Sequence, residues 1–344
     1  HATGDAGREV SPIAMVGDVI KDESLWACRT CGACVQECPV LIEHVPTIVD
    51  MRRFLVMNEA RLPATAQQAL ENIEMRGHPW KGTALERTTW MDGLGDVPLF
   101  DGSQEYVLWL GCFAKYKMDP KFTNSVMSLV KILDSAKKTY GILKKEKCTG
   151  EPANKLGDKL TYNMLMKENL ETLKEVKKII TMCPHCSINL GTEYAKYEKI
   201  EYEVYHHTEI IEDLILNKKI TINKNNNDKV TFHDPCNLSR GMNETKAPRT
   251  AIKASCQDFN ELEENGKNTL CCGAGGGLWW KKETKGRAHL VRAEQVIESG
   301  NDTVVTGCSF CYGMMNQGLG PLTPSDQEPI KVKDIADIVA ENLS

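Results

Sequence analysis

KKIITMCPHC (residues 177–186) and TVVTGCSFC (residues 303–311) share one design within a chain of 344 residues. Each is a run rich in β-branched and apolar residues that ends at a C-x-x-C pair. Such runs predict buried strands, with the cysteines in the loops at their carboxyl ends. Two further runs, YVLWL (106–110) and KVTF (229–232), end within four residues of a cysteine. We therefore expect loops from several strands to bring cysteines together at one edge of a sheet.

Helical patterns around residues 121–136 and 207–217 separate these strand-like runs. Strands that alternate with helices predict a parallel sheet, so we expect an α/β fold from Tyr106 onward. The preceding region, residues 1–95, is interpreted as a small α-helical, ferredoxin-like domain plus a linker. Its segment Val45–Ala69 has helical apolar spacing and no strand alternation.

The α/β region contains an internal repeat. Its cysteines recur at offsets of 123 to 125 residues, which is hard to obtain by chance, and we infer two copies of one domain. The polar run KKITINKNNNDK (218–229) is expected to be a surface loop between the copies. We therefore predict domains at residues 1–95, 96–222 and 223–344. The equivalent cysteines are Cys112 and Cys236, Cys148 and Cys271, Cys183 and Cys308, and Cys186 and Cys311.

The composition excludes several classes of protein. Lys and Arg total 42 while Asp and Glu total 47, and a net charge of −5 argues against a nucleic-acid binder. No apolar run reaches the ~18 residues that a membrane span requires. The 14 cysteines leave disulfides, zinc and iron–sulfur clusters as alternatives. Disulfides are the weakest, because the cysteines are grouped and HATGDAGREV (1–10) does not resemble a secretory signal.

Cys28, Cys31, Cys34 and Cys38, followed by Pro39, form the run C-x2-C-x2-C-x3-C-P of bacterial ferredoxins. This spacing predicts a [4Fe-4S] cluster, whereas zinc prefers separate C-x2-C pairs. In two-cluster proteins the fourth cysteine of the run binds the other cluster, yet the sequence has no second run. The other ligands of the cluster that Cys38 binds are therefore expected in a missing upstream segment or in a partner, or else Cys38 is the fourth ligand of a single cluster here. The start without Met favours the missing upstream segment.

The second copy holds five cysteines, one more than a cubane cluster needs. The surplus is compatible with an unusual, more open cluster, or with a cubane cluster and a spare thiol. The glycines that follow are expected to let backbone N–H groups approach bridging sulfides. A phosphate loop is the weaker alternative, because the Lys-Ser/Thr pair of a Walker motif is absent. The cysteines are Cys236, Cys271, Cys272, Cys308 and Cys311, and the glycines are Gly273, Gly275, Gly276 and Gly277.

The first copy has Thr149 where the second copy has Cys272. Its four thiolates can bind a cubane cluster but cannot form a five-thiolate site. We expect the first copy to act as an electron relay and the second to be the reactive centre. The alternative is a first site without a cluster that is only structural. The four cysteines are Cys112, Cys148, Cys183 and Cys186.

Five residues near these motifs have both a structural and a functional interpretation. His206 and His207 are interpreted as helix caps or satisfied partners, and alternatively as a proton relay. His185 lies between two cysteines and is expected to tune a cluster by hydrogen bonding rather than to bind iron. His233 and Asp234 precede Cys236, where a proton donor or a simple turn is equally compatible with the sequence.

These motifs resemble the heterodisulfide-reductase-related iron–sulfur oxidoreductases that carry two CCG domains. The resemblance covers nearly the whole chain and implies [4Fe-4S] clusters, including a non-cubane one at a site of five cysteines. The second copy matches that site, whereas Thr149 departs from it, and the family's upstream ferredoxin run is absent. The residues that carry the resemblance are LWACRTCG (25–32), IEHVP (42–46), IVDMRR (48–53), EKCTGEP (146–152), CPHC (183–186), HHTE (206–209), HDPC (233–236) and CCGAGGG (271–277).

The resemblance implies an oxidoreductase that links electron-transfer flavoprotein or a heterodisulfide to a membrane quinone pool. We expect an electron-transfer subunit of a larger complex with two or three [4Fe-4S] clusters. Electrons would pass from the N-terminal cluster through the first CCG site to the second, which acts on a disulfide or quinone-type acceptor or feeds a membrane partner. The alternatives are a pure electron relay without its own substrate and a zinc-binding structural module.

The expected partners are other redox subunits, namely a flavoprotein, a ferredoxin-type protein or a membrane quinone-reactive subunit. Neither nucleic-acid binding nor a membrane span in this chain is expected. Thiolates that carry clusters need a reducing compartment, so we expect a cytoplasmic protein that a partner holds at the inner face of the cell membrane.

Overall fold

The described residues form an N-terminal helical unit followed by two four-stranded parallel sheets. This architecture confirms the expected α/β class with two repeated units. The expected boundary between residues 95 and 96 lies outside the described residues, and the domain limits stay predictions. The computed structural model describes residues 13–81, 94, 97–115, 120–281, 286–324, 326 and 328–344.

The helical pattern expected over residues 45–69 belongs to two separate helices. Ala60 has a left-handed backbone with φ 51°, which ends the first of them. Pro63 precedes the second, and its ring cannot continue a helix from the preceding turn. The helices of the N-terminal unit are α1 (Asp22–Ala27), α2 (Ala33–Gln36), α3 (His44–Glu59) and α4 (Ala64–Arg76).

The strand-like runs of the sequence are the two central strands of each sheet, β1 and β3 in the first and β5 and β7 in the second. The orders are β2-β1-β3-β4 and β6-β5-β7-β8, with every pair parallel. Central strands are covered on both faces and therefore apolar, whereas edge strands such as β6 (CQDFNE) are mostly exposed. The strands are β1 (Tyr106–Trp109), β2 (Tyr140–Ile142), β3 (Lys178–Thr181), β4 (Glu203–His206), β5 (Asn226–His233), β6 (Cys256–Glu261), β7 (Thr303–Thr306) and β8 (Lys331–Asp334).

The polar run 218–229 is only partly a loop, which corrects the expectation from its composition. Strand β5 already begins at Asn226, and Ile222 forms an isolated bridge with Leu343. Residues 227–229 of β5 are exposed or half-buried, so polar side chains are tolerated there without loss of the strand.

The helices of the two sheet-containing units confirm the helical patterns expected around residues 121–136 and 207–217. Among the described residues, no helix combines the length and the apolar character needed to cross a bilayer. The helices are α5 (Gly111–Lys115), α6 (Pro120–Ser135), α7 (Glu151–Leu156), α8 (Lys159–Thr172), α9 (Pro184–Ile188), α10 (His207–Leu216), α11 (Lys246–Ser255), α12 (Ala288–Glu298), α13 (Ser309–Leu322) and α14 (Ile335–Glu341).

The two copies pack against each other through two pairs of helices, with equivalent helices exchanged between the pairs. Helix α6 of the first copy packs on α14 of the second, and α11 of the second packs on α10 of the first. The Ser125 hydroxyl donates to Asp337 across one contact at 2.7 Å, and the Thr250 hydroxyl donates to Glu212 across the other at 2.8 Å. The copies are therefore related by an approximate two-fold axis.

Aromatic rings from all three parts of the chain form one cluster. Trp80 stacks on Phe310 with centroids 6.2 Å apart, and it meets Trp279 and Phe113 edge-on at 6.1 and 6.4 Å. The Trp80 indole also donates to the carbonyl of Cys112 at 2.9 Å. This shared core fixes the N-terminal unit against both cysteine-bearing units, because edge-to-face and stacked rings add to the area that they bury.

Gly157 and Gly102 offer a matched test of the packing between α3 and the turn that joins α7 to α8. Their φ angles are 94° and 93°, but a Cβ at Gly157 would lie 2.6 Å from Arg53 N, while nothing lies within 4 Å of one at Gly102. Gly102→Ala is expected to cost about 1–2 kcal/mol through its backbone. Gly157→Ala should cost roughly 1–3 kcal/mol more through overpacking. Equal shifts of the two urea midpoints would contradict the close approach.

Candidate metal centre

The cysteines of both copies follow the carboxyl ends of central strands. Strands β1 and β3 lead to Cys112 and Cys183, and β5 and β7 lead to Cys236 and Cys308. Parallel neighbouring strands end at the same edge of a sheet, so these loops converge. Cys183 and Cys308 also stand at the N-termini of α9 and α13, where backbone N–H groups favour a thiolate.

The five cysteines of the second copy, called the second set below, form one connected group of thiols. Cys311 Sγ lies 3.3 Å from Cys272 Sγ. Hydrogen bonds also join Cys271 to Cys236 and to Cys272, and join Cys308 to Cys311. The contact with Cys271 and burial raise the pKa of Cys236, whereas hydrogen bonds from Cys271 and Cys311 lower the pKa of Cys272. Five buried thiols at one place fit a thiolate-rich cluster, and cluster binding here stays a prediction.

The four cysteines of the first copy, called the first set, form a second group. Cys112 hydrogen-bonds Cys148, and this contact together with burial raises the pKa of Cys112. Cys183 hydrogen-bonds Cys186. Thr149 is buried, and its carbonyl accepts a hydrogen bond from the Tyr194 hydroxyl at 2.7 Å. The first set thus offers four thiols, and the fifth position of the second set has no counterpart in it.

The two sets meet at His185. Its Nδ1 lies 3.6 Å from Cys183 Sγ of its own copy and 3.9 Å from Cys308 Sγ of the other copy. Burial alone would lower the pKa of His185, but hydrogen bonds to these two sulfurs outweigh it and raise that pKa. One possible ligand atom from each of Cys183, His185 and Cys308 lies within 4.8 Å of the other two, a spacing at which the three residues could bind one metal ion.

The N-terminal cysteines adjoin the second set. Cys28 and Cys31 lie in the loop between α1 and α2 (residues 28–32), called the N-terminal loop below, and Cys34 lies in α2. Burial and the charges of Cys28 and Cys31 raise the pKa of Cys34, which shows that these three thiols are neighbours. A hydrogen bond to Cys271, followed by burial, raises the pKa of Cys31. The order of contact is therefore N-terminal loop, second set, first set. The expected electron path has the first set between the other two, and that path stays a prediction, whereas the contacts place the N-terminal cysteines directly beside the second set.

Cys38 makes its hydrogen bonds with the backbone that follows it. Its Sγ accepts a hydrogen bond from the Ile42 N–H at 3.4 Å, and this bond with another from Val40 lowers its pKa. Cys38 is half-buried, and the large apolar residues Val40, Leu41 and Ile42 beside it are more than half exposed.

Two features of the second copy hold the N-terminal loop in place. Arg240 Nε donates to the carbonyl of Cys31 at 2.8 Å, while its Nη1 donates to the carbonyls of Lys267 and Thr269 at 2.7 and 2.9 Å. The Arg29 guanidinium donates to the carbonyl of Gly286 at 3.2 Å. These bonds fix the backbone on both sides of the cysteines that face the second set.

The glycines after Cys272 pack against protein. A Cβ at Gly275 would lie 2.5 Å from the carbonyl oxygen of Arg29, and one at Gly276 would lie 2.5 Å from that of Cys28. Gly277 has a φ of 83° and packs on Leu156. Close approach of backbones therefore explains the absence of side chains here, and contact of Gly273, Gly275, Gly276 and Gly277 with sulfides stays a prediction.

Arg52 is the main residue that the sequence analysis missed. It is fully buried, and it donates to the carbonyls of Leu25 at 2.7 Å, Lys155 at 3.0 Å and Gly276 at 2.9 Å, and also to that of Cys28. Burial lowers its pKa, and the negative charges of Cys28 and Glu151 oppose that effect. Its position on the buried face of α3, three residues from Val49 and from Leu55, could have revealed it.

A cavity of about 380 Å³ lies where the N-terminal loop meets the second set. Cys31 and Cys236 both line it, together with Lys155, Asn237 and Arg240. Thiols from both groups thus face one space, whose lining also includes two acidic residues, Glu43 and Glu193, beside the two basic ones.

The histidines and the aspartate discussed above have structural partners. His206 Nδ1 lies 2.7 Å from Thr208 Oγ1 at the start of α10, and His207 Nε2 lies 2.8 Å from Asp334 Oδ1 across the two copies. Asp234 is held by Arg249 through two bonds of 2.8 and 2.9 Å. These contacts favour the structural interpretation of all three residues.

Comparison with known proteins agrees with the geometry. The family model described as "Cysteine-rich domain" matches residues 106–191 and 230–316. The chain is 34% identical to a probable iron–sulfur-binding oxidoreductase FadF of Bacillus subtilis, over 96% of this chain and 48% of the relative. It is 35% identical to the EtfAB:quinone oxidoreductase of Syntrophomonas wolfei, over 97% of this chain and 49% of the relative. The chain thus spans about half the length of both.

A third relative matches the chain over most of its own length as well. It is one of the subunits of the dihydromethanophenazine:CoB–CoM heterodisulfide reductase of Methanosarcina barkeri, and it is 28% identical over 98% of this chain and 81% of the relative. All three relatives bear names of redox proteins, in agreement with the resemblance seen in the sequence.

The Arg52 network can be tested against its neighbour in the sequence. Arg52→Met should leave several buried carbonyls without donors and cost about 3–5 kcal/mol of unfolding free energy. Arg53 is partly exposed and pairs only with Asp50 among the described residues, so Arg53→Met should change stability by less than about 0.5 kcal/mol. Urea unfolding of the two variants measures both values. Similar losses would contradict the role of Arg52 as the junction.

Proposed function

The chain belongs to the cysteine-rich (CCG) domain family, and on this premise we propose that it is an iron–sulfur electron-transfer subunit of an oxidoreductase. In this proposal the N-terminal cysteines exchange electrons directly with the second set. The single observation that carries it is the proximity of the Cys31 thiol to Cys271 and Cys236, which brings the two groups of thiols together.

The cysteines present fit iron–sulfur clusters. Clusters bound by them would supply one-electron transfer over a wide range of potentials. Cys28, Cys31 and Cys34 would hold the N-terminal cluster, and the second set would hold a thiolate-rich one of the non-cubane type. The connected sulfurs of the second set and the cavity that Cys31 and Cys236 share support this assignment.

The contact between ligands supports a direct path. Cys31 contacts the second set, and the contacts of Cys183 and His185 with Cys308 join the second set to the first. Electron transfer to the second set therefore does not require the first set. We propose that the first set, with Thr149 in its fifth position, is a branch of the path and holds a cubane cluster or none.

The terminal acceptor is proposed to be a disulfide or a quinone, or a membrane partner that reduces one. A disulfide takes two electrons and two protons to give two thiols, and a quinone takes the same to give a quinol. Two successive one-electron transfers from a reduced flavoprotein or ferredoxin-type donor balance either reaction. The acceptor classes follow the printed names of the relatives, one a quinone oxidoreductase and one part of a heterodisulfide reductase.

Cys38 is proposed to serve a further cluster. Its thiol accepts backbone N–H groups beside the exposed residues 40–42. In ferredoxin-type runs the fourth cysteine binds the neighbouring cluster. The remaining ligands would come from a partner subunit or from a further segment of the same protein. Association with such redox subunits at the inner face of the cell membrane remains our proposal for its location.

A pure electron relay is the second candidate function. All five sulfur-bearing residues of the second set are buried, with exposed fractions between 0 and 7%. A substrate could reach such thiols only through the cavity beside Cys236 or after movement of a covering side chain. Such burial favours the exchange of electrons with a protein partner over direct reaction with a small substrate.

Cys272→Ser tests the assignment of the second set. In anaerobically purified protein it should lower iron and acid-labile sulfide, abolish reduction of a disulfide or quinone by a dye-reduced enzyme, and leave the EPR signal of the N-terminal cluster. Cys256→Ser is the matched control, because Cys256 is buried but lies outside both sets.

Three results distinguish the candidates. Unaltered turnover in Cys272→Ser would sink the assignment of the reactive centre. Dye reduction without conversion of any disulfide or quinone in the wild-type protein would support the relay instead. Zinc in place of iron and labile sulfide would refute both candidates.

A further inference from the structure

The side chain of His233 lies at the carboxyl end of β5, inside the second set and away from solvent. One of its ring nitrogens and the Sγ atoms of Cys272 and Cys311 lie within 4.8 Å of one another. The residue has no exposed surface. It therefore faces the same sulfurs that would hold the second cluster.

Arg292 fixes the proton on this ring. Its Nε donates to His233 Nδ1 at 3.1 Å, and a guanidinium has no lone pair with which to accept. Nδ1 must then be the unprotonated nitrogen, so the neutral ring carries its proton on Nε2. A ring whose Nδ1 accepts a hydrogen bond and whose proton lies on Nε2 is neutral.

Arg292 is itself immobilised. It is fully buried, and it donates to the carbonyl of Glu264 at 3.0 Å, to the Thr269 hydroxyl at 3.3 Å and to the Gln295 amide oxygen at 2.7 Å. The guanidinium therefore cannot turn away to let the imidazole change its tautomer. Arg292 is a positioning residue for His233.

The Nε2–H group lacks an acceptor. Among the described residues, His233 Nε2 is buried without a hydrogen-bond partner. A buried donor left unpaired costs about 1–3 kcal/mol, so an acceptor beside it would stabilise the protein. Cluster sulfurs held by the second set would supply the missing acceptor.

The first copy has an unpaired donor at the equivalent position. Trp109 precedes Cys112 by three residues, as His233 precedes Cys236. The indole Nε1 of Trp109 is also buried without a partner among the described residues, and an indole N–H can only donate. Two copies that differ in sequence thus retain an N–H donor at the same place.

We propose that His233, with its tautomer fixed by Arg292, donates a permanent N–H···S hydrogen bond to the sulfurs of the second set and thereby raises the reduction potential of the cluster bound there. This inference rests on the proposed function, because it needs a cluster in the second set. Hydrogen bonds to cluster sulfur favour the reduced form, which carries one more negative charge. The step is the uptake of one electron from an external reductant, and His233 keeps its proton throughout.

The first experiment is an anaerobic EPR-monitored redox titration of the full chain. His233→Phe should lower the reduced-to-oxidised ratio of the second-site cluster at least tenfold at a fixed potential, which is about 59 mV for one electron. His233→Gln, which keeps an N–H donor, should recover most of that loss. Thr231→Val, on the same face of β5 and also buried, should leave the ratio unchanged. The N-terminal cluster should not shift in any variant.

A second measurement can be made even if the His233→Phe variant does not fold. Wild-type protein labelled with ¹⁵N-histidine should show a ¹⁵N coupling of His233 to the second-site cluster in pulsed EPR, beside a coupling of His185, which contacts Cys308. His233→Gln should lose the first coupling and keep the second. A ¹⁵N spectrum that is unchanged in His233→Gln would overturn the proposal.

The failures of the two proposals are distinguishable. A second-site cluster that is present but has an unchanged potential in His233→Phe overturns this inference alone. A wild-type protein without any cluster in the second set overturns it together with the proposed function.

Discussion

The buried guanidinium of Arg52 joins the three parts of the chain. It donates to carbonyls of the N-terminal loop, of α7 in the first copy and of the glycine run in the second. A buried carbonyl without a donor is costly, so none of these segments can move without loss of stability. The contact between Cys31 and Cys271 depends on this junction, because the loop that carries Cys31 is anchored there and by Arg240. Arg52 and Arg240 together thus hold the N-terminal loop beside the second set.

The approximate two-fold relation brings chemically different halves together. Both copies have the same strand order, and their C-x-x-C motifs meet through Cys183, His185 and Cys308. The donor sets nevertheless differ, since Thr149 replaces a cysteine and Trp109 replaces a histidine. Gene duplication explains the shared fold, and the substitutions explain why only the second copy offers five thiols with an imidazole among them.

The sequence predicted the parts of the fold that carry strong local patterns. Central strands such as β3 and β7 were recognisable because burial on both faces makes them apolar, and the cysteine spacing revealed the repeat. The edge strands β6 and β8 were missed because half-exposed strands tolerate polar residues. The run 218–229 was wrongly treated as loop throughout for the same reason.

The candidate site was predictable in its members but not in its arrangement. Four cysteines of the second set could be named from the repeat, and Cys272 from its place beside Cys271, whereas the position of the N-terminal loop beside them could not. That position depends on Arg52, Arg240 and the packing of Gly276 on Cys28, which are contacts between residues far apart in the chain. The local spacing of residues does not encode such contacts, so the sequence alone did not predict that the N-terminal loop lies beside the second set.

The most direct test of the link between the N-terminal loop and the second set is the EPR spectrum of the fully reduced, anaerobically prepared chain. Two reduced clusters whose ligands touch broaden each other's signals. We predict that the signal of the N-terminal cluster is broadened in the wild type and in Cys186→Ser, and that it becomes sharp in Cys272→Ser. A signal that sharpens in Cys186→Ser and stays broad in Cys272→Ser would contradict the direct link.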